Sequence, residues 1–214
     1  KTLIARGPDM RDMKGIATLG TSMYPDGTPM GILLDEGIER VMYEYKSDEK
    51  EWVEHFRFKC QEPGFVPVGT YKGRTVVTGS KFSPSGELLE ENDTNALYFY
   101  DMQTREFSEK LYQDPDYDVS GLTGSCRPAS GGGSTNRTNS ELEYVSYSSL
   151  KPERVYFDKD AEQVFASVQA VFPDDHVSIT TSSADRKIMV VSVSNTNNPG
   201  DYYLVNLNQG TVKL

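Results

Sequence analysis

The sequence predicts an all-β protein assembled as a repeat array of short antiparallel meanders, with one inserted amphipathic helix. Three observations carry this. First, Ser183-Ala-Asp-Arg-Lys-Ile-Met-Val-Val-Ser-Val-Ser194 and Gly200-Asp-Tyr-Tyr-Leu-Val-Asn-Leu-Asn-Gln-Gly-Thr-Val-Lys-Leu214 read as polar turn, apolar strand, loop, strand, turn and closing strand. Second, the same grammar occurs twice more, from Tyr24-Pro-Asp-Gly27 to Trp52 and from Ser83-Pro-Ser-Gly86 to Phe107. Repetition of this kind marks a propeller or another repeat architecture. Third, 13 Tyr and 9 Phe, with many Val and Thr, suit half-buried pleated surfaces, and only one segment has a helical period.

Strands are expected in order along the chain. A first blade-like unit, 1–58, has strands near 15–20, 30–34, 41–45 and 51–58, and a second, 66–112, has strands near 66–71, 75–82, 96–101 and 106–111. The turn residues Pro25 and Pro84 are 59 positions apart, whereas Pro84 and the equivalent Ala184 are 100 apart, too far for one blade of about 40–45 residues. The third unit, 113–214, must therefore contain an insertion or a further irregular blade. Residues 121–140, rich in Gly, Ser and Asn, have too little apolar surface to offset their ordering entropy and are expected as a flexible surface insertion. Residues 160–172 are expected as the helix. Asp160 and Gln163 form a capping pair, Val164, Phe165, Val168, Val171 and Phe172 share one face, and Pro173 ends it.

Composition limits the function. A formal net charge of -10 and a pI near 4.7, with no Lys/Arg cluster, argue against nucleic acid as a partner, since phosphate binding needs a basic patch. No apolar run approaches the ~20 residues of a membrane span, so no membrane role is expected and the chain is read as soluble, cytoplasmic or periplasmic. Lys1 at the start and a strand at Leu214 suggest an excised fragment or processed product. Cys60 and Cys126 are read as two unpaired thiols, with a disulfide the alternative that spacing leaves open.

No residue is expected to be catalytic, to hold a cofactor or to bind a metal. His55 and His176 are the two histidines, leaving a Ser/His/Asp relay few ways to form, and Ser125 and Ser134 lack the Gly-x-Ser-x-Gly elbow. Asp174 and Asp175 before His176 read as solvated residues at a helix end. Asp114, Asp116 and Asp118 alternate like half of a calcium loop, but Val119 stands where the turn needs Gly and Ser125 where it needs a bidentate Glu. Asn92 and Asn136 begin glycosylation tripeptides, a pattern short enough to arise by chance.

From Ala96-Leu-Tyr-Phe-Tyr-Asp-Met-Gln-Thr-Arg-Glu-Phe107 onward, the chain resembles the later propeller blades of prolyl oligopeptidase family serine peptidases. The segments Asp116-Tyr-Asp-Val-Ser-Gly121, Leu142-Glu-Tyr-Val-Ser-Tyr147, Lys151-Pro-Glu-Arg-Val-Tyr-Phe-Asp158, the helix and Asp201-Tyr-Tyr-Leu-Val-Asn-Leu-Asn-Gln-Gly210 follow in the family's order, closest to the acylaminoacyl-peptidase and dipeptidyl-aminopeptidase-like branch. The resemblance is weaker before Ala96 and departs at 123–141. It implies a partial β-propeller of three to four blades that restricts peptide access to a C-terminal α/β-hydrolase domain absent from these residues. The family's catalytic residues have no counterparts here. The implied partners are that hydrolase domain and the peptide passing the propeller; the isolated blades are expected to self-associate through uncovered flanks. The competing reading is a stand-alone TolB-like propeller module that binds a protein partner.

Overall fold

The computed structural model of the protein describes residues 17–23, 29–36, 38–59, 62–119, 133–135, 141–149 and 152–214. The described residues are mostly β, in several antiparallel sheets with one helix, and among them no sheet closes on itself. It divides into two compact units, 1–157 and 158–214. Cys60, Cys126 and Asn136 lie outside the described residues, as does the expected insertion 121–140 apart from 133–135.

The first sheet of unit 1 is a meander of β1 (Ala17–Met23), β2 (Pro29–Glu36), β3 (Glu39–Lys46) and β4 (Glu51–Lys59), hydrogen-bonded in chain order. The second is built from β5 (Phe65–Tyr71) and β6 (Arg74–Gly79), then, after the separate hairpin β7 (Lys81–Phe82) and β8 (Leu88–Glu90), from β9 (Ala96–Asp101) and β10 (Glu106–Gln113). The third is the three-stranded β11 (Gly133–Thr135), β12 (Leu142–Ser148) and β13 (Pro152–Tyr156). It occupies the interval between Pro84 and Ala184 that the repeat spacing left over.

Two details of the second sheet differ from the sequence reading. The strand expected over 75–82 breaks at Ser80, whose N–H donates to the Gly64 carbonyl at 3.0 Å. Gly79 makes the break, with φ of 132° and a backbone so close to Gly64 that a Cβ would overlap its carbonyl oxygen. The Ser83-Pro-Ser-Gly86 turn therefore belongs to the side hairpin. Its hydrogen bonds, Gly86 N–H to Ser83 C=O and Ser83 N–H to Glu87 C=O, resemble those of the Ser183 turn, where Arg186 N–H reaches Ser183 C=O. The two turns share chemistry but join different strands of their sheets.

Alternation of side chains explains how the sheets of unit 1 pack. From β9, Ala96, Tyr98 and Tyr100 point to one core, with Phe65, Val77, Phe82 and Met102 and with Met42, Leu33 and Phe56 of the first sheet. Leu97 and Phe99 point to the opposite core, with Val76, Val119 and, from the third sheet, Leu142 and Val145. The second sheet is thus covered on both faces. Its first turn, Lys72-Gly73, has positive φ at both residues, 52° and 72°, the geometry of a tight hairpin. Glu141, entering β12, accepts the N–H groups of both residues at 2.7 and 3.1 Å and ties the third sheet to this hairpin.

Unit 2 opens with helix α1 (Lys159–Gln169) and continues as a four-stranded meander, β14 (His176–Ser182), β15 (Ile188–Asn195), β16 (Asn198–Asn206) and β17 (Thr211–Lys213). The helix cap is Asp158 rather than Asp160: its carboxylate accepts the N–H groups of Asp160 and Ala161. The helix also ends at Gln169, before Pro173, because Gln169 Nε2 donates to the carbonyls of Phe172 and Asp175 and folds the chain into a turn. Val168 is fully buried against Val177, Met189, Val191, Val193 and Val205, with Val164, Phe165 and Phe172 packed around them, whereas Val171, past the helix end, is half exposed.

Candidate functional site

The most developed polar constellation among the described residues lies in unit 1, where β4 meets β3 and β9. It starts from a bulge. Met42 pairs with Phe56 and Tyr43 with Glu54, so His55 is an extra residue with no partner across β3. A bulge re-aims the side chain it inserts, and here the imidazole turns fully inward. Its Nδ1 lies 3.1 Å from Glu44 Oε2 and its Nε2 2.7 Å from the Tyr100 hydroxyl, while Lys46 Nζ donates to Glu44 Oε1 at 2.8 Å.

The chemistry of the donors assigns the protons. An ionised Glu44 only accepts, so Nδ1 carries a hydrogen, and in the neutral ring Nε2 accepts from Tyr100. Burial pushes the Glu44 carboxyl up, but the His55 and Lys46 hydrogen bonds outweigh it and hold Glu44 below the usual carboxylate range. Burial pushes the Tyr100 phenol well above its usual range, so it remains a donor. The Tyr100 ring meets the imidazole edge to face, with centroids 5.7 Å apart.

This Glu44–His55–Tyr100 relay has the order of a catalytic triad with a phenol at its end. Its setting does not suit nucleophilic catalysis: both imidazole nitrogens are occupied and the phenol is held protonated. Tyr100 lines a cleft of about 520 Å³ with Arg74, Asp101, Gln103 and Phe107. The charged walls of that cleft serve the fold. Arg74 pairs with Glu109, donates to Ser108 at 2.7 Å and lies 3.8 Å over the Phe99 ring, and the Asp101 carboxylate caps the Gln103 and Thr104 N–H groups at 2.7 and 3.0 Å.

The other residues singled out in the sequence are dispersed. Asp114 accepts the N–H groups of Asp116 and Tyr117 and the Tyr112 hydroxyl, while Asp118 accepts the Asn95 N–H at 2.8 Å, so these two carboxylates serve separate parts of one loop. Asp175 accepts from Asn195 in unit 2, and His176 begins β14 exposed. Asn92 is half-buried, its amide donating to the Tyr98 hydroxyl at 2.9 Å. No group of three metal-ligating side chains occurs among the described residues. Ser125 lies outside them, and Ser134 sits in β11, paired with Tyr144.

Sequence reading weighed His55 only as a catalytic base and missed Glu44 and Tyr100. The sequence carries no signal for them: with period two, Glu44 shares its strand face with Arg40, Met42 and Lys46, a mostly charged set that reads as a solvated face. Comparison with known proteins identifies no family for the chain: no protein-family model matches it, and no curated protein matches it in sequence.

Proposed function

We propose that this chain is a non-catalytic arc of a β-propeller, the substrate-gating part of a serine peptidase of the prolyl oligopeptidase family, whose hydrolase domain lies elsewhere in the parent protein. The observation that carries the reading is the second sheet, a four-stranded antiparallel meander covered on both faces by neighbouring sheets, as a blade is by the blades beside it. The order of segments from Ala96 to Gly210, including a helix of eleven residues before the last meander, supports it from the sequence side. The partners that follow are the parent's hydrolase domain and a peptide substrate.

The test uses a fluorophosphonate probe and aminoacyl and acylaminoacyl chromogenic substrates. The 214-residue chain should neither label nor turn over substrate, while the parent polypeptide, recovered from its source with an antibody raised against the chain, should do both. A parent that fails to label refutes the peptidase reading and favours a stand-alone binding module. Stoichiometric labelling of the chain itself refutes the non-catalytic reading.

A further inference from the structure

The first two sheets of unit 1 meet across an apolar interface. Phe56 packs on Phe65 and Phe82 with ring centroids 4.7 and 5.1 Å apart, and Met42 and Leu33 complete the contact. Apolar packing is non-directional: it holds two sheets together without fixing how far one slides on the other. The His55–Tyr100 hydrogen bond crosses this interface, from β4 to β9, and it is directional and buried.

The geometry points to a proton-sensitive latch, in which Glu44 holds the His55 ring so that its Nε2 pins Tyr100 and sets the first sheet on the second. Around it stand Glu44 and Lys46 from β3, Tyr100 and Asp101 from β9 and Arg105 from the turn after β9. A second proton on His55 keeps the Nδ1–H on Glu44 and reverses the bond to Tyr100. Loss of the Glu44 charge is the releasing event, because the ring then loses its charged acceptor and Lys46 its counter-ion. Since Glu44 is held below the usual carboxylate range in the folded chain, the latch is complete above that range and is released as pH falls through the depressed value. The joint lies between two sheets of unit 1, and its behaviour does not depend on the peptidase reading.

Hydrogen exchange of the full chain, corrected for intrinsic rates, tests it. In E44Q, which removes the charge and keeps the shape, amides of β3 and β4 should exchange about tenfold faster at neutral pH, the scale of one lost buried hydrogen bond, with those of β14–β17 unchanged. The parent chain should show the same rise, confined to β3 and β4, on acidification below the carboxylate range, and E44Q should show no further local rise. Y100F, which deletes one hydroxyl, carries the test if E44Q does not fold: its β3 and β4 amides should also exchange faster at neutral pH. Unchanged β3 and β4 exchange in the variants, or an acid response equal in both units, overturns the latch.

Discussion

The second sheet of unit 1 and the meander of unit 2 share an order of four antiparallel strands but bury their strands differently. In β9 five consecutive residues, Ala96 through Tyr100, are buried. In β15 burial alternates: Met189, Val191 and Val193 are buried, whereas Val190 and Ser192 between them and Ile188 and Ser194 on either side are not. The difference lies in what covers each sheet. β9 has a core on each face, so both parities must be apolar, whereas the meander of unit 2 sets one face against α1 and its surrounding apolar residues. A run of apolar residues in a strand of this chain therefore reports two neighbours, and alternation reports one.

The comparison is broken most directly by truncating a residue on the third-sheet side of β9. Leu97 is fully buried among Val76, Phe99, Val119, Leu142 and Val145. Leu97→Ala should destabilise unit 1 by about 2–5 kcal/mol, the transfer loss plus the cavity left between two sheets. A urea melt resolving the two units reads this. A loss near zero would mean that the third sheet does not cover this face in solution.

A smaller effect is expected at the start of unit 2. Asp158 caps α1 through the Asp160 and Ala161 N–H groups and also accepts from Arg186 at 3.2 Å. Burial pushes its carboxyl up, but those three donors outweigh it and leave it below the usual range. Asp158→Ala should cost about 1 kcal/mol at neutral pH. Because the folded group titrates lower than the unfolded one, this contribution exists above the ordinary carboxylate range and disappears as pH falls through the depressed value. Melts of parent and variant should therefore converge in acid; a gap that persists there would assign the loss to packing.

How much of this was legible follows from the same contrast. The strand at Ala96–Asp101 is legible to the residue, because a run of apolar residues ending at a turn aspartate fixes both ends. The helix was found but not its ends, since Asp158 and Asp160 are equally good caps by composition and only backbone geometry, extended at Asp158, chooses between them. The His55 relay was not legible. A bulge inverts the parity of one residue, and the partner at Tyr100 comes from another sheet, 45 positions along the chain. Turn chemistry misled at Pro84, because a turn records how two strands join and not which sheet they belong to.

The smallest expected effect sharpens the comparison by probing the face of unit 2 that α1 does not cover. Tyr202 and Leu204 stand on β16, 63% and 46% exposed, opposite Ser192 and Val190 of β15. Their neighbours in sequence, Tyr203 and Val205, face the core. Tyr202→Ser removes a large ring from the sheet, but the ring is already largely in water and its removal leaves no cavity. Stability should change by no more than about 0.5 kcal/mol, the range of ordinary surface substitutions, in the same melt that shows the large loss for Leu97→Ala. A cost above about 1 kcal/mol would require this face to be packed in solution, because only a covered ring carries a burial contribution of that size. The meander of unit 2 would then be two-sided like the second sheet, and its alternating pattern would need another cause.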